Sequence, residues 1–171
     1  ENTTASYNTA IGASALRNNT TGAKNVAVGG YALDAITTGV SGSTAVGYQA
    51  LSDNTSGTGS VALGYRALTS VTSGNNNCAV GYDAGANITS GGQNIAIGGF
   101  AISNATCTGS DNTAVGYSAM YAATTGAESV AMGRDALKSN TTGSYNVAIG
   151  KEALESSVQG NGSVAIGYKA L

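Results

Sequence analysis

The chain has no histidine, no proline and no tryptophan, a single phenylalanine, and only 9% charged residues over 171 positions. Without histidine, a Ser/His/Asp or Cys/His nucleophile system cannot be assembled, and neither a GxSxG elbow nor a phosphate-cradling glycine loop occurs. The seven Lys and Arg form no cluster and the net charge is −2, so a phosphate backbone has no cationic face to meet and nucleic acid is not an expected partner. No apolar run approaches the roughly 18 residues of a membrane-spanning helix, and no charged-then-apolar leader opens the chain. Membrane insertion is not expected. An opening on Glu1 rather than Met is expected of a processed product or of a segment cut from a longer polypeptide.

The two cysteines, Cys78 and Cys107, sit at different points of the sequence pattern described below. They give neither a ladder nor a metal-ligand spacing, and two cannot staple a chain of this length. They are read as substitutions at small-residue positions. The nine acids are scattered, unlike calcium-binding β-rolls, which place Asp in every coil. No catalytic, cofactor-binding or metal-ligating residue is assigned, and no enzymatic activity is expected.

What the chain has is glycine, 26 residues of it, and one phrase repeated. Asn or Ser, any residue, Ala, aliphatic, Gly, two free positions, Ala and a usually aliphatic residue recurs ten times. The copies begin at Asn8, Asn25, Ser43, Ser60, Asn77, Asn94, Asn112, Ser129, Asn146 and Ser163, at spacings of 17 or 18. A fixed short period over a whole chain is the mark of a solenoid. The expected architecture is all-β: a parallel β-solenoid, or β-roll, of ten coils in one array over residues 1–171, after a partial coil at 1–7. Helical repeats are excluded, because each unit is too short for two packed helices and carries glycine, which costs about 1 kcal/mol of helix propensity.

Within each copy, the β-branched second residue, the Ala and the aliphatic fourth residue read as a short strand closed by Gly. The glycine column, with Gly29, Gly47, Gly64 and Gly81 among its ten members, predicts a corner with positive φ or close backbone approach. Ala and Leu at the eighth and ninth positions predict a second inward-facing segment, broken only at Gly85. The other half of each coil carries a turn signal, TTG or TSG. Its first Thr recurs at Thr3, Thr20, Thr37, Thr55, Thr72, Thr89, Thr106, Thr124 and Thr141, with Val158 replacing it once. The two 18-residue coils are expected to absorb their extra residue just after this turn. Ten coils at the strand spacing of about 4.8 Å would form a rod of roughly 48 Å.

Strand alternation predicts that the second and fourth residues point into the coil and the invariant Ala points out. An outward position restricted to Ala implies a second chain packed so closely that only a methyl fits. Ala27, Ala45, Ala62, Ala79, Ala96, Ala114, Ala131 and Ala148 are therefore the candidate inter-chain interface, in a side-by-side homotrimer around a common axis. The competing reading is that Ala merely tolerates a tight bend. Tyr48, Tyr65 and Tyr82 hold the sixth position of three successive coils, with Tyr117 and Tyr168 further on. They are candidate glycan contacts, although a ladder that only ties coils together is the commoner use of such a column.

NTAVGYSAM, NVAIGKEAL and SVAIGYKAL resemble the SVAIG-type repeats in the heads of trimeric autotransporter adhesins, and equally the NTAIGYQAL-type arrays of bacteriophage tail fibres. The resemblance covers essentially the whole chain, although the coil here is longer than the usual adhesin coil. It implies a parallel β-roll, trimerisation and surface attachment. The expected function is the structural shaft of an extracellular fibre or phage tail fibre, at a cell surface or on a virion, with a receptor or glycan as partner. Two alternatives stand beside it. Both ends are half-coils, which fits a self-polymerising extracellular filament stacking head to tail. The Thr column fits an ice-binding surface.

Overall fold

The computed structural model describes residues 5–37 and 39–171. Among the described residues there is no helix, and ten strands form one parallel sheet in chain order. They are β1 Thr9–Ile11, β2 Val26–Val28, β3 Thr44–Val46, β4 Val61–Leu63, β5 Cys78–Val80, β6 Ile95–Ile97, β7 Thr113–Val115, β8 Val130–Met132, β9 Val147–Ile149 and β10 Val164–Ile166. Each strand pairs with the next at the same repeat position, Ala62 with Ala79 and Ala79 with Ala96. Because one turn of the chain separates successive strands, the fold is a β-solenoid.

The sheet faces the opposite way from the expectation. Ala27, Ala45, Ala62, Ala79, Ala96, Ala114, Ala131 and Ala148 are all fully buried inside their own chain. The second and fourth residues of each repeat, which are the first and last of each strand, point outward and are half-buried or exposed. The reason is the width of the coil. Leu33, Leu51, Leu68, Met120 and Leu137 come in from the opposite wall, with Ile36, Val71 and Ile88 beside them. Little more than a methyl fits between that wall and the sheet. Gly85 shows the distances: a Cβ there would lie 2.7 Å from Leu68 Cδ2, 3.2 Å from Ile88 Cδ1 and 3.5 Å from the Ala79 methyl. The alanine column is thus conserved in size by its own core, and it cannot serve as the inter-chain contact.

The corner glycines meet both expectations at once. Gly64 has φ +141°, and a Cβ on it would lie 2.3 Å from the Gly81 carbonyl oxygen of the next coil. Past the corner the chain is not a strand. It forms tight turns in which the seventh and ninth residues are left-handed: Arg66 and Leu68 at φ 53°, Gln49 at 55° and Leu51 at 52°. Such a conformation costs a non-glycine residue roughly 1–2 kcal/mol. It is held because the N–H of Leu51 donates to Ala67 O at 3.0 Å and that of Leu68 to Ala84 O at 3.0 Å, while both side chains are fully buried. The second segment therefore faces inward as expected, but as stacked turns.

The 18-residue coils differ from expectation in detail. In the coil beginning at Asn25, Val40 takes the place of the turn glycine, its carbonyl accepting from Asn25 Nδ2 at 2.9 Å. In the coil beginning at Asn94, the carbonyl that accepts the Thr89 N–H belongs to Cys107, not Thr106. Cys107 is buried and Thr106 exposed. The extra residues lie within the turn in one case and before it in the other. Thr3 lies outside the described residues.

Candidate functional site

Three surfaces run along the solenoid, each generated by one or two repeat positions, the aromatic one from Tyr31 to Tyr117. The first is the outer face of the sheet. Its fourth-position column includes Val46 and Leu63 at 37% exposure, Ile97 at 38%, Met132 at 43% and Ile149 at 37%. Val26, Val61, Val130 and Val147 form a half-buried column beside it. Cys78 stands in this second column, half-buried, whereas Cys107 lies in the core, where burial pushes its thiol pKa up.

The second surface is aromatic. Tyr48 and Tyr65 stack at 5.6 Å with ring planes 15° apart, and Tyr65 and Tyr82 at 5.0 Å and 9°. Tyr31 joins one end edge-on at 5.9 Å, and Phe100 and Tyr117 extend the other at 5.3 and 5.7 Å. Tyr31 and Phe100 escape a search of the sixth position because they sit at the seventh, following Gly30 and Gly99. The signal was the glycine itself: a Cβ on Gly30 would lie 3.4 Å from Tyr48 Cδ2, and one on Gly99 3.5 Å from Tyr117 Cδ2. Where the sixth residue is absent as a side chain, the seventh swings its ring into the column. Ring pairs of this kind contribute about 0.5–1.5 kcal/mol each.

Stacking has a cost for recognition. The faces of Tyr48, Tyr65 and Tyr82 are turned toward one another, so these three offer edges and hydroxyls to solvent. A sugar ring needs an open aromatic face, and the ladder has that only where it ends. Tyr168 stands apart, with Lys151 Nζ 5.5 Å and Lys169 Nζ 5.4 Å from its ring centroid.

The third surface is the threonine column. Thr55 Oγ1 donates to Thr72 O at 3.0 Å, Thr124 to Thr141 O at 2.9 Å and Thr141 to Val158 O at 3.2 Å. Thr20 does the same to Thr37 O. These hydroxyl protons are used between coils.

Beneath the surfaces runs a buried polar ladder that composition alone leaves unread. The first-position side chain of each coil accepts the backbone N–H of the next first position: Asn77 from Asn94 at 2.9 Å, Asn94 from Asn112 at 3.0 Å, Ser129 from Asn146 at 3.1 Å. The asparagines also reach across their coils, Asn94 Nδ2 donating to Gly109 O and Asn112 Nδ2 to Gly126 O, both at 2.9 Å. Where Ser43 and Ser129 are too short to span the coil, Asn54 and Asn140 donate to the turn carbonyls of Gly57 and Gly143 instead, at 2.8 and 3.0 Å. The invariance of Asn or Ser at this position was the available signal.

Among the described residues, no group of His, Cys, Asp and Glu could hold a metal ion, and no helix is long and apolar enough to cross a membrane. Ion pairs join half-exposed cations to acids on the rim, such as Arg17 with Asp34 at 3.2 Å and Lys169 with Glu152 at 3.3 Å, or to buried ones, such as Arg66 with Asp83 at 3.6 Å. Comparison of the chain with known protein families, curated proteins and solved structures finds no match.

Proposed function

We propose that this chain is a shaft segment of an extracellular fibre or phage tail fibre, assembled as a side-by-side homotrimer and serving attachment to a surface. The observation that carries this reading is the outer face of the sheet. Ten strands present Val, Ile, Leu, Met, one Cys and three Thr there, without a charged side chain among them, along a stripe of roughly 48 Å by 10 Å. Monomeric soluble proteins rarely leave a contiguous apolar patch of more than a few hundred Å² uncovered. An identical column on a second and third chain is a self-complementary cover, and rotational symmetry lets every chain bury the stripe while the array stays open along its length. The lateral contact is thus reassigned from the alanines to the second- and fourth-position residues. The likeness of the repeats to adhesin heads and tail fibres supports the same assembly.

The test is native mass together with thiol labelling. The assembly should weigh close to three times the 16.6 kDa chain. Maleimide should label Cys78 slowly in the intact assembly and quickly once it dissociates, with Cys107 unlabelled until unfolding. A native mass of one chain, with Cys78 freely labelled, sinks the lateral assembly.

A further inference from the structure

We infer that the end of the aromatic ladder is a binding site for an acidic sugar residue, a pyranose carrying a carboxylate. The inference rests on the attachment reading for its biological sense and stands on separate residues. The coil beginning at Asn112 is the one coil that carries two tyrosines, Tyr117 and Tyr121. The coil stacked on it carries Arg134, Asp135 and Lys138. Between them lies an open cleft of about 330 Å³ whose wall continues through Phe100 and Ser118. That volume is at the small end of ligand sites, suited to one or two sugar rings.

The ladder stops here because its next member is not a ring. Arg134 occupies the sixth position, with its guanidinium carbon 5.9 Å from the Tyr117 centroid. At the ladder's centre both faces of a ring are covered by aromatic neighbours; at Tyr117 one neighbour is a 63% exposed cation. A pyranose presenting its apolar C–H face can pack in the cleft against Tyr121 and the rim of Tyr117, beside the Arg134 side chain and without breaking a ring stack. The polar groups are placed to orient it. Asp135 is nearly buried and holds Arg134 Nε at 3.0 Å and Lys138 Nζ at 3.1 Å. It thereby fixes both cations at the rim, and its hydrogen bond raises the Lys138 pKa. Only Nε of the guanidinium is engaged with Asp135, so its terminal amino groups remain to meet a carboxylate in the paired geometry that arginine favours. Lys138 is met by both Asp135 and, at 3.9 Å, Glu155, so Arg134 is the cation of the lining that faces a ligand. Its free terminal amino groups favour an acidic sugar over a neutral one.

The experiment is calorimetric titration of the whole chain with a tetrasaccharide alternating glucuronic acid and N-acetylglucosamine, against cellotetraose as the neutral probe. The acidic probe is expected to bind with a Kd on the order of 100 μM and the neutral one at least about tenfold more weakly. Arg134→Gln should weaken the acidic probe about tenfold and Tyr121→Ala by a similar factor, with native mass and melting temperature unchanged. Tyr48→Ala, at the far side of the ladder, should leave the affinity as it was. Equal affinity for both probes, or no binding of either by a correctly assembled chain, overturns the proposal. A chain of monomeric mass that still binds the acidic probe overturns the trimeric shaft and leaves the sugar site standing, so the two readings fail separately.

Discussion

On its inner face the sheet presents alanine from every strand, while on its outer face the same strands present Val, Thr, Cys or Ile beside Val, Ile, Leu or Met. The two faces are both apolar, yet they differ in what they tolerate. The inner column is fixed because leucines and isoleucines of the same chain close over it, as the 3.5 Å from the Gly85 Cβ direction to the Ala79 methyl shows. The outer column varies in shape from Val to Met because each residue is partly exposed and no second wall of the chain closes over it. Uniform size marks a tight internal fit, and uniform polarity with variable shape marks a surface that has only to exclude water.

The sharpest way to break this comparison is a pair of neighbouring substitutions. Ala96→Glu should prevent folding, since an unpaired carboxylate in the fully buried core has no partner and costs several kcal/mol. Ile97→Lys, one residue on and 38% exposed, should leave the solenoid's circular dichroism intact while splitting the assembly into single chains. If Ala96→Glu instead released folded monomers, the faces would be assigned the wrong way round.

Gly64→Val should come close to the first effect in size, about 3 kcal/mol or more. Its Cβ would meet the Gly81 carbonyl oxygen at 2.3 Å in a conformation, φ +141°, that a β-branched residue does not adopt. Arg66→Ala, two residues away, removes the cation 3.6 Å from the buried Asp83 carboxylate and should cost about 1–2 kcal/mol, less than the corner variant. Chemical denaturation of the two variants measures the ratio. Comparable losses would show that the corner can relax around a side chain.

A smaller step separates Asn from Ser in the buried ladder. Asn94→Ala leaves the Asn112 N–H and the Gly109 carbonyl without their partners, and a buried polar group left unpaired costs about 1–3 kcal/mol. Asn94→Ser keeps an acceptor for the N–H, as Ser60 does for Asn77 at 3.2 Å, and should recover about half of that loss in denaturant midpoint. An alanine variant as stable as the serine one would mean that the ladder is not what holds the coils in register.

The period, the corner glycines and the turns were legible because each is a backbone requirement that few residues meet. The direction of the sheet was not, since alternation gives two apolar faces and leaves their sides undecided; the decisive quantity is the coil's width, which depends on Leu68 and its equivalents across the core. Left-handed leucines were invisible for another reason: nothing in a leucine announces positive φ, which is imposed by hydrogen bonds to the adjacent coil. Cys107 shows the limit of spacing rules. The TCTG stretch matches the turn pattern at Thr106, yet the backbone bond from Thr89 selects the next residue. At the candidate site, the tyrosine column was visible, but the cleft at its end joins residues of neighbouring coils, such as Tyr121 with Lys138 and Tyr117 with Arg134, each pair 17 positions apart, and emerges only once the coils are stacked.

The smallest effect concerns pH, and it contrasts two acids on the same solenoid. Glu152 is held below the usual carboxylate range, first by a hydrogen bond from Lys151 and then by Lys169. A depressed folded-state pKa gives stability that is present above the unfolded value and lost as pH falls through the folded one. Asp34 is shifted the other way, chiefly by burial, which outweighs the Arg17 charge beside it. Its charged form is the less favourable one in the fold, so acidification relieves it. On the acid side the two oppose each other. On the basic side Lys138 and Lys169, both raised by hydrogen bonds to Asp135 and Glu152 respectively, contribute stability that is lost as pH climbs through their raised values. With no histidine in the chain, the melting temperature should be flat between about pH 6 and about pH 9. Asp34→Asn should raise it slightly at neutral pH, where the native carboxyl is charged, and have less effect once that carboxyl is protonated. A fall in melting temperature at neutral pH would instead show that the pair with Arg17, and not burial, governs this residue.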